Sequence, residues 1–580
     1  MKKFALVNVI CAAAVGTTAV VPTVALAISE AIYAKIAKGI QDDVLSEFCE
    51  LCNVPRDSYH TRKICDYLKN RFQEFGIPAE NIHEDAYRSS WVPGITVPES
   101  ESSGNLWVDI PANSPKMSNR KPFVLQAHMD MVWQTVPEYV GPDHPLPMLE
   151  DTKDGRIIHT VDYKTSLGAD DGVGLALMLA LAKSTKYKHG PLRFIITADE
   201  ETGMSGAKYI GCRKKPETDE DFLKDRDPVF DNVKYLLNID GEKEGEITTS
   251  TAGAVISYYN FAEPKEETKP IQNQLFFVKV DGLLGGHSGM SIGDGRLNAL
   301  KVLTEVLHLI RFAGYKFRII GLNTTTDVVN AIPDGAHIIL ALDHLPEYTT
   351  WNEEISRIND QIRAKYSAIE PDIKVHGDGI TGKPDITTCY TYDQTELIIQ
   401  LIETLYYGVW SWLSPGAIET SANIGPLTAG WVPNDVEGQT KYELKPFSLG
   451  VEARSCNNKH ISAIDADYKR VYDETIGTLP PEDNPEYVPQ NLYWGWAGDK
   501  DKHLFNTICD SYNRIGIKWN KIDAHAGLEI SWFQYIEPSI LMSAVGPTLT
   551  DVHTPDECFY VDTYASVINA AIRSIDKLQK

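Results

Sequence analysis

The sequence carries a series of histidines and carboxylates whose company, more than their spacing, points to metal chemistry. A His-x-acid pair by itself means little: with 15 His and 80 acidic residues in 580, chance supplies about two. Three His-x-Asp triplets occur, at His83–Asp85, His128–Asp130 and His376–Asp378. Only His128 ends an apolar strand-like run (FVLQAH) and is followed by acids at the ends of other runs. These are Asp170-Asp171 in LGADDGVG, Glu200-Glu201 in FIITADEETGMSGA and Asp240 in LLNIDGE, with His553 in VGPTLTDVHTPDE closing the series. Gathered in one crevice, these groups would repel one another unless cations neutralised them. Imidazole nitrogens with carboxylate oxygens suit zinc, with manganese and cobalt as nearest competitors. Helix capping explains one or two of the acids, Asp170 and Glu200 among them. It does not explain a histidine at a strand end with an aspartate two residues on.

The elements that must position these residues read as an α/β sheet. Residues 29–76 form two helices around the turn Asn53–Tyr59, the second (His60–Phe75) stopping at Gly76. Short apolar runs at Asn105–Ile110, Phe123–Ala127, Leu192–Thr197 and Tyr235–Ile239 alternate with helices, one of which, Gly172–Ala182, is apolar nearly all round. That pattern predicts strands buried on both faces. In such sheets ligands bind beyond the carboxyl ends of the strands, where all the chemical residues above would lie. After about residue 253 the texture changes to hairpin-like strands and an amphipathic helix near Asn298–Phe312. Pro480–Pro485 reads as a linker, the acidic run Glu217–Asp227 as a solvated loop, and Ser539–Val545 and Thr563–Leu578 as a last strand and helix. The expected division is a leader at 1–27, a catalytic domain from 28–253 and 491–580, and an inserted domain at 254–490.

Composition narrows the function classes. Hydrophobic residues at 43% and charged residues at 23% describe an ordinary folded protein. A net charge of −25 repels phosphate backbones and anionic lipid, so no nucleic-acid partner is expected. The start MKKFALVNVICAAAVGTTAVVPTVALA has a basic end, an apolar core and an A-x-A exit at Ala25–Ala27, which predicts an exported protein maturing near Ile28 and free of the membrane after cleavage. The alternative is a retained anchor. Cys49-x-x-Cys52 has no second CxxC, and core packing or one local disulfide is the expected use of the cysteines.

The order HMDMV, LGADDGVG, DEETGMSGA, NID, GGHSG, NAIP, AHAGLE and HTPDE resembles the aminoacyl-histidine dipeptidases (Xaa-His dipeptidases, dipeptidase D-like) of the di-zinc carboxypeptidase and aminoacylase superfamily. The resemblance covers nearly all of the chain after the leader. Departures are the leader, the insert near Glu217–Asp231 and a long second domain. The resemblance implies a di-zinc exopeptidase-like α/β catalytic domain with an inserted α+β lid domain. It implies two zinc ions per chain, one held by His128 and Asp240, the other by Glu201 and His553, with Asp170 bridging and Asp171 capping the helix. It further implies Asp130 orienting the His128 ring, Glu200 as general base, and His287 of GGHSG as a donor to the oxyanion. Asn330 of NAIP and Arg454 of EARS would hold the substrate's backbone and terminal carboxylate. His525 and Glu529 match the motif without a role.

The expectation is therefore an exported di-zinc metallopeptidase that hydrolyses dipeptides, with a homodimer left open. The alternatives are an N-acyl amino acid amidohydrolase or carboxypeptidase using the same site, and a peptide-binding protein that has lost catalysis.

Overall fold

A computed structural model describes residues 20–153, 155–218, 221–267, 275–343, 350–380, 386–436 and 439–579. The chain divides into two compact units. The first is built from residues up to Thr249 together with Gly498–Ile522 and Trp532–Lys580; the second comprises Ser250–Ala497 and Asp523–Ser531. The expected leader at 1–27 falls mostly outside the described residues, and a helix runs from Val20 to Leu51. Among the described residues no helix is long and apolar enough to cross a membrane.

The first unit is α/β. Its eight-stranded sheet runs, edge to edge, through Ile82–Glu84, Leu106–Ile110, Leu192–Thr197, Phe123–His128, Tyr235–Asn238, Leu541–Ala544, Glu246–Thr251 and Asn520–Ala524. Phe123–His128 pairs in parallel with Leu192–Thr197 and with Tyr235–Asn238, and Leu541–Ala544 continues the parallel run. Every side chain of Phe123–His128 and Tyr235–Asn238 is buried, as continuous apolar runs in a covered sheet require. The Ala169–Lys183 helix packs on Phe123–His128 and against the Val20–Leu51 helix. Its Leu175, Leu177, Leu179 and Leu181 are fully buried, each stabilising the unit by about 1.5–3 kcal/mol. The two ends of the chain meet: Tyr33 donates to Asp576 in the Tyr564–Leu578 helix at 2.7 Å.

The second unit is α+β. An antiparallel sheet orders Lys374–Gly379, Leu275–Asp281, Ala336–Leu342, Phe317–Thr324, Ala417–Val436, Gln439–Ser455, Gly253–Phe261 and Glu486–Tyr493, with Gly408–Ser414 added beside Ala417–Val436. The helices Ala299–Phe312, Trp351–Tyr366, Tyr392–Thr404 and Asn458–Glu474 share one apolar core with it. Asn298 caps the first of these, its Oδ1 accepting from the Leu300 N–H at 2.9 Å.

Three expectations are corrected. Pro480–Pro485 is no linker: Asp483 accepts from Gln394 Nε2 at 2.9 Å, and the following Glu486–Tyr493 strand pairs with Gly253–Phe261. Residues 523–531, expected in the catalytic domain, join the second unit, because Asp523 accepts from Ser250 at 2.6 Å and His525 pairs with Ser421 at 2.7 Å. The acidic run at 217–227, of which residues 219 and 220 lie outside the described ones, is anchored. Phe222 is buried 5.6 Å from the Trp532 ring, and Arg226 donates to the Ile210 carbonyl at 2.9 Å. All eight described cysteines are free and only Cys49 is exposed, so packing is their use.

Candidate active site

In the first unit, the parallel strands bring their carboxyl ends to one edge, and the predicted metal residues gather there. His128 closes its strand, Asp240 follows Asn238 by two residues, and Glu200 and Glu201 follow the strand ending at Thr197. Asp170 sits in the first turn of the Ala169–Lys183 helix. His553, with a left-handed backbone (φ 65°), follows the Thr548–Thr550 strand. His128 Nε2 lies 3.0 Å from Asp170 Oδ1 and 3.5 Å from Asp240 Oδ1. His553 Nε2 lies 3.2 Å from Asp170 Oδ2 and 2.9 Å from Glu201 Oε2. Donor atoms of His128, Asp170 and Glu201, and of His128, Asp171 and Asp240, come close enough to share a metal ion. Asp171 Oδ1 also accepts from the Gly174 N–H at 3.0 Å, a helix-capping bond.

The electrostatics of the cluster call for cations. Burial pushes the Asp240 carboxyl well above the usual carboxylate range, and the nearby Asp170 adds to this. Burial also opposes charge on the His128 ring, but Asp240, Asp130 and Asp170 outweigh it and raise its pKa. Hydrogen bonds to Asp170 and Glu201 push His553 up to about 10. The carboxylates thus favour positive charge at both imidazoles, the sign of charge that divalent ions would bring. Glu201 Oε1 is buried without a hydrogen-bond partner, which a metal bond would satisfy. The donor set, imidazole nitrogen and carboxylate oxygen, fits divalent zinc and its neighbours.

Asp130 is fully buried; its charge helps raise the His128 pKa, and its backbone carbonyl meets the ring. The His128 Nδ1 lies 3.1 Å from the Asp130 carbonyl oxygen, whereas its carboxylate, at 3.6 Å, is beyond hydrogen-bond reach. That carboxylate instead accepts from the N–H groups of Glu200 (3.1 Å) and Glu201 (3.4 Å) and from Ser58 Oγ (2.9 Å). It therefore aligns the Glu200-Glu201 turn. The helix that follows takes Met204 as N-cap with no side-chain cap bond, so capping does not account for the Glu200 side chain. Two buried charges to which the motifs assign no role, Arg56 and Glu557 at the end of HTPDE, also touch these loops.

In the second unit, Gly286-His287 pairs with Ala331-Ile332, and Ser288 N–H donates to the Asn330 carbonyl at 2.7 Å, so GGHSG and NAIP form one small ladder. The Asn330 residue is exposed. Gly289 N–H donates to His287 Nδ1 at 3.0 Å, which leaves the proton on Nε2. Burial, aided by the Arg454 charge, lowers the His287 pKa, so the ring is a neutral donor. Arg454 is buried and bonded to Glu452 at 2.8 Å, and Glu452 accepts from Ser288 Oγ at 2.5 Å. His525 is neutral, its pKa lowered to about 4 by burial and the Arg454 charge, and its Nε2 lies 2.7 Å from Ser421 Oγ. The Ser421 contact ties His525 to the second unit.

Comparison with known proteins shows the family of the chain. The Escherichia coli K12 cytosol non-specific dipeptidase is 28% identical over 528 residues, 89% of this chain and 93% of the relative. The crystal structure of an aminoacylhistidine dipeptidase from Vibrio alginolyticus superposes with a TM-score of 0.71 at 25% identity, over 92% of this chain and 96% of that one. The aminopeptidase PepT from Bacillus cereus ATCC 10987 shares the fold, with a TM-score of 0.50 at 18% identity over 93% and 99% of the two chains. The model of peptidase family M20/M25/M40 matches residues 124–577, more than three quarters of the sequence, and the chain belongs to that family of peptidases.

Proposed function

We propose that the protein is a dipeptidase that works with two divalent cations, zinc foremost. The observation that carries this reading is the span of Asp170 between His128 and His553. His128 and Asp240 would hold one ion and Glu201 and His553 the other, with Asp170 shared. When bound, such a pair lowers the pKa of water and polarises a carbonyl. Glu200 takes the proton of the attacking water and returns it to the leaving amine. Asp130 supports this role by fixing the Glu200 backbone. The Nε2–H of His287 suits the carbonyl oxygen of the scissile bond, and Asn330 and Arg454 suit the substrate's backbone and carboxylate. The A-x-A exit at Ala25–Ala27 supports export, a feature that the name of the E. coli cytosolic relative does not share; amino-terminal sequencing of the recovered protein tests it, with Ile28 as the expected first residue.

The deciding experiment is a panel of free dipeptides, tripeptides, longer peptides and N-acyl amino acids given to the zinc-loaded protein. Rapid turnover of dipeptides, lost with a chelator and regained with zinc, is expected. Preference for N-acyl amino acids, or trimming of long peptides from the carboxyl end, overturns the assignment.

A further inference from the structure

Two buried charges of opposite sign grip the loop that presents Asp170. Arg56, in the turn between the Val20–Leu51 and Arg62–Glu74 helices, is 2% exposed. Its Nη1 donates to the carbonyls of Asp130 (3.0 Å) and Met129 (3.3 Å), and its Nη2 donates to the carbonyl of Gly168. The Asp130 carbonyl is the oxygen that His128 Nδ1 also meets, at 3.1 Å. Glu557, likewise 2% exposed, accepts from the other side of the loop. Its Oε2 takes the N–H groups of Leu167 (2.7 Å) and Gly168 (2.8 Å), and its Oε1 takes that of Ala169 (2.7 Å) and, at the limit, Asp170 (3.5 Å). Glu557 stands four residues after His553.

We infer that Arg56 and Glu557 are positioning residues that set the spacing of His128, Asp170 and His553. Arg56 ties the His128 loop to the Asp170 loop, and Glu557 ties the Asp170 loop to the His553 segment. Each charge has the chemistry for its task. A planar guanidinium offers donors in a fixed fork and can hold three carbonyls from two loops at once, which a lysine ammonium on a flexible stem does poorly. A carboxylate accepts on both oxygens, and a helix start presents a row of N–H groups without intrahelical partners. The glycines of LGADDGVG make room: Gly168 has φ +69°, and a Cβ there would lie 2.5 Å from Arg56 Nη2, as one at Gly172 would lie 2.7 Å from it. Because a shared carboxylate must meet two ions together, an error in this loop reaches both sites.

This inference rests on the metal-centre reading, and the test separates the two. Zinc affinity of the full-length protein is measured by competition with a chromophoric chelator, and cobalt substitution by its visible absorption. The parent is compared with Arg56→Lys and Glu557→Gln, with circular dichroism confirming that each is folded. Zinc binding weakened roughly 10- to 100-fold, with a changed cobalt spectrum, is expected in the folded variants. Variants that bind zinc as tightly as the parent, with an unchanged cobalt spectrum and only a lower melting temperature, overturn the inference. Should one variant fail to fold, the other decides by the same measurement. A parent that takes up no zinc refutes the metal centre itself, a different outcome from variants that match a zinc-binding parent.

Discussion

Asp170 spans two histidines, its Oδ1 3.0 Å from His128 Nε2 and its Oδ2 3.2 Å from His553 Nε2. Removing this carboxylate takes the shared anion from both halves of the cluster. Asp170→Ala is expected to lose most of both zinc equivalents together, whereas Asp171→Asn, at the helix cap, is expected to keep them. Metal analysis of the dialysed proteins decides; full zinc content in Asp170→Ala would move the bridge elsewhere.

Glu200 and Glu201 are adjacent and identical, and Glu201 reaches His553 at 2.9 Å. Glu201→Gln is expected to weaken zinc at one site. Glu200→Gln keeps size and polarity, and is expected to retain both metals while turnover falls roughly two to four orders of magnitude. Zinc content and kcat measured side by side on the two variants check this, and an active Glu200→Gln enzyme sinks the mechanism.

His287, with its proton fixed on Nε2 by the Gly289 N–H, is expected to act on turnover. His287→Ala lowers kcat about 100- to 1,000-fold with little change in KM. Arg454 needs a gentler change. Arg454→Ala leaves the buried Glu452 without the cation it pairs with, a loss of about 3–5 kcal/mol of stability. Arg454→Lys keeps the charge and is expected mainly to raise KM; steady-state kinetics with a dipeptide, beside a thermal melt, separates binding from folding.

Acid sensitivity should follow Glu84. Burial opposes its charge, but Arg62 at 2.8 Å, Lys69 and the Gly104 N–H at 2.9 Å more than offset this and hold its pKa down at about 2. The unfolded value is about 4.3. The stabilisation is therefore full above pH about 4.3 and is lost as the pH falls toward about 2. Glu84→Gln is expected to melt lower at pH 7 and to lose less between pH 5 and about 2. Melting curves that stay a constant distance apart across that range would refute the assignment.

The residues most legible in the sequence were those whose type is costly without a partner: His128 at a strand end, and acids opening loops after apolar runs. What stayed hidden depends on contacts across hundreds of residues. The two oxygens of the Asp130 side chain bind the Glu200-Glu201 turn and Ser58, a choice the HMD triplet cannot express, because carbonyl and carboxylate compete for His128 only in three dimensions. Glu557 had a weak signal, a carboxylate four residues beyond a candidate ligand. Arg56 had none, since no local pattern separates a buried arginine from a solvated one. Pro480–Pro485 misled because proline punctuates edge-strand entries as readily as linkers.

The first unit is assembled from both ends of the chain, and that fixes an order of events as the polypeptide appears amino end first. The Tyr235–Asn238 strand waits for its parallel partner Leu541–Ala544, about 300 residues later, a delay of roughly 15 to 60 s at ordinary rates of synthesis. Through that interval the strand's outer edge stands open to mispairing, while the second unit already has every strand of its sheet from Gly253 to Tyr493. The second unit can thus mature first and the first unit last. His553 emerges later still, so its contacts with Asp170 and Glu201 are among the last that the first unit can make.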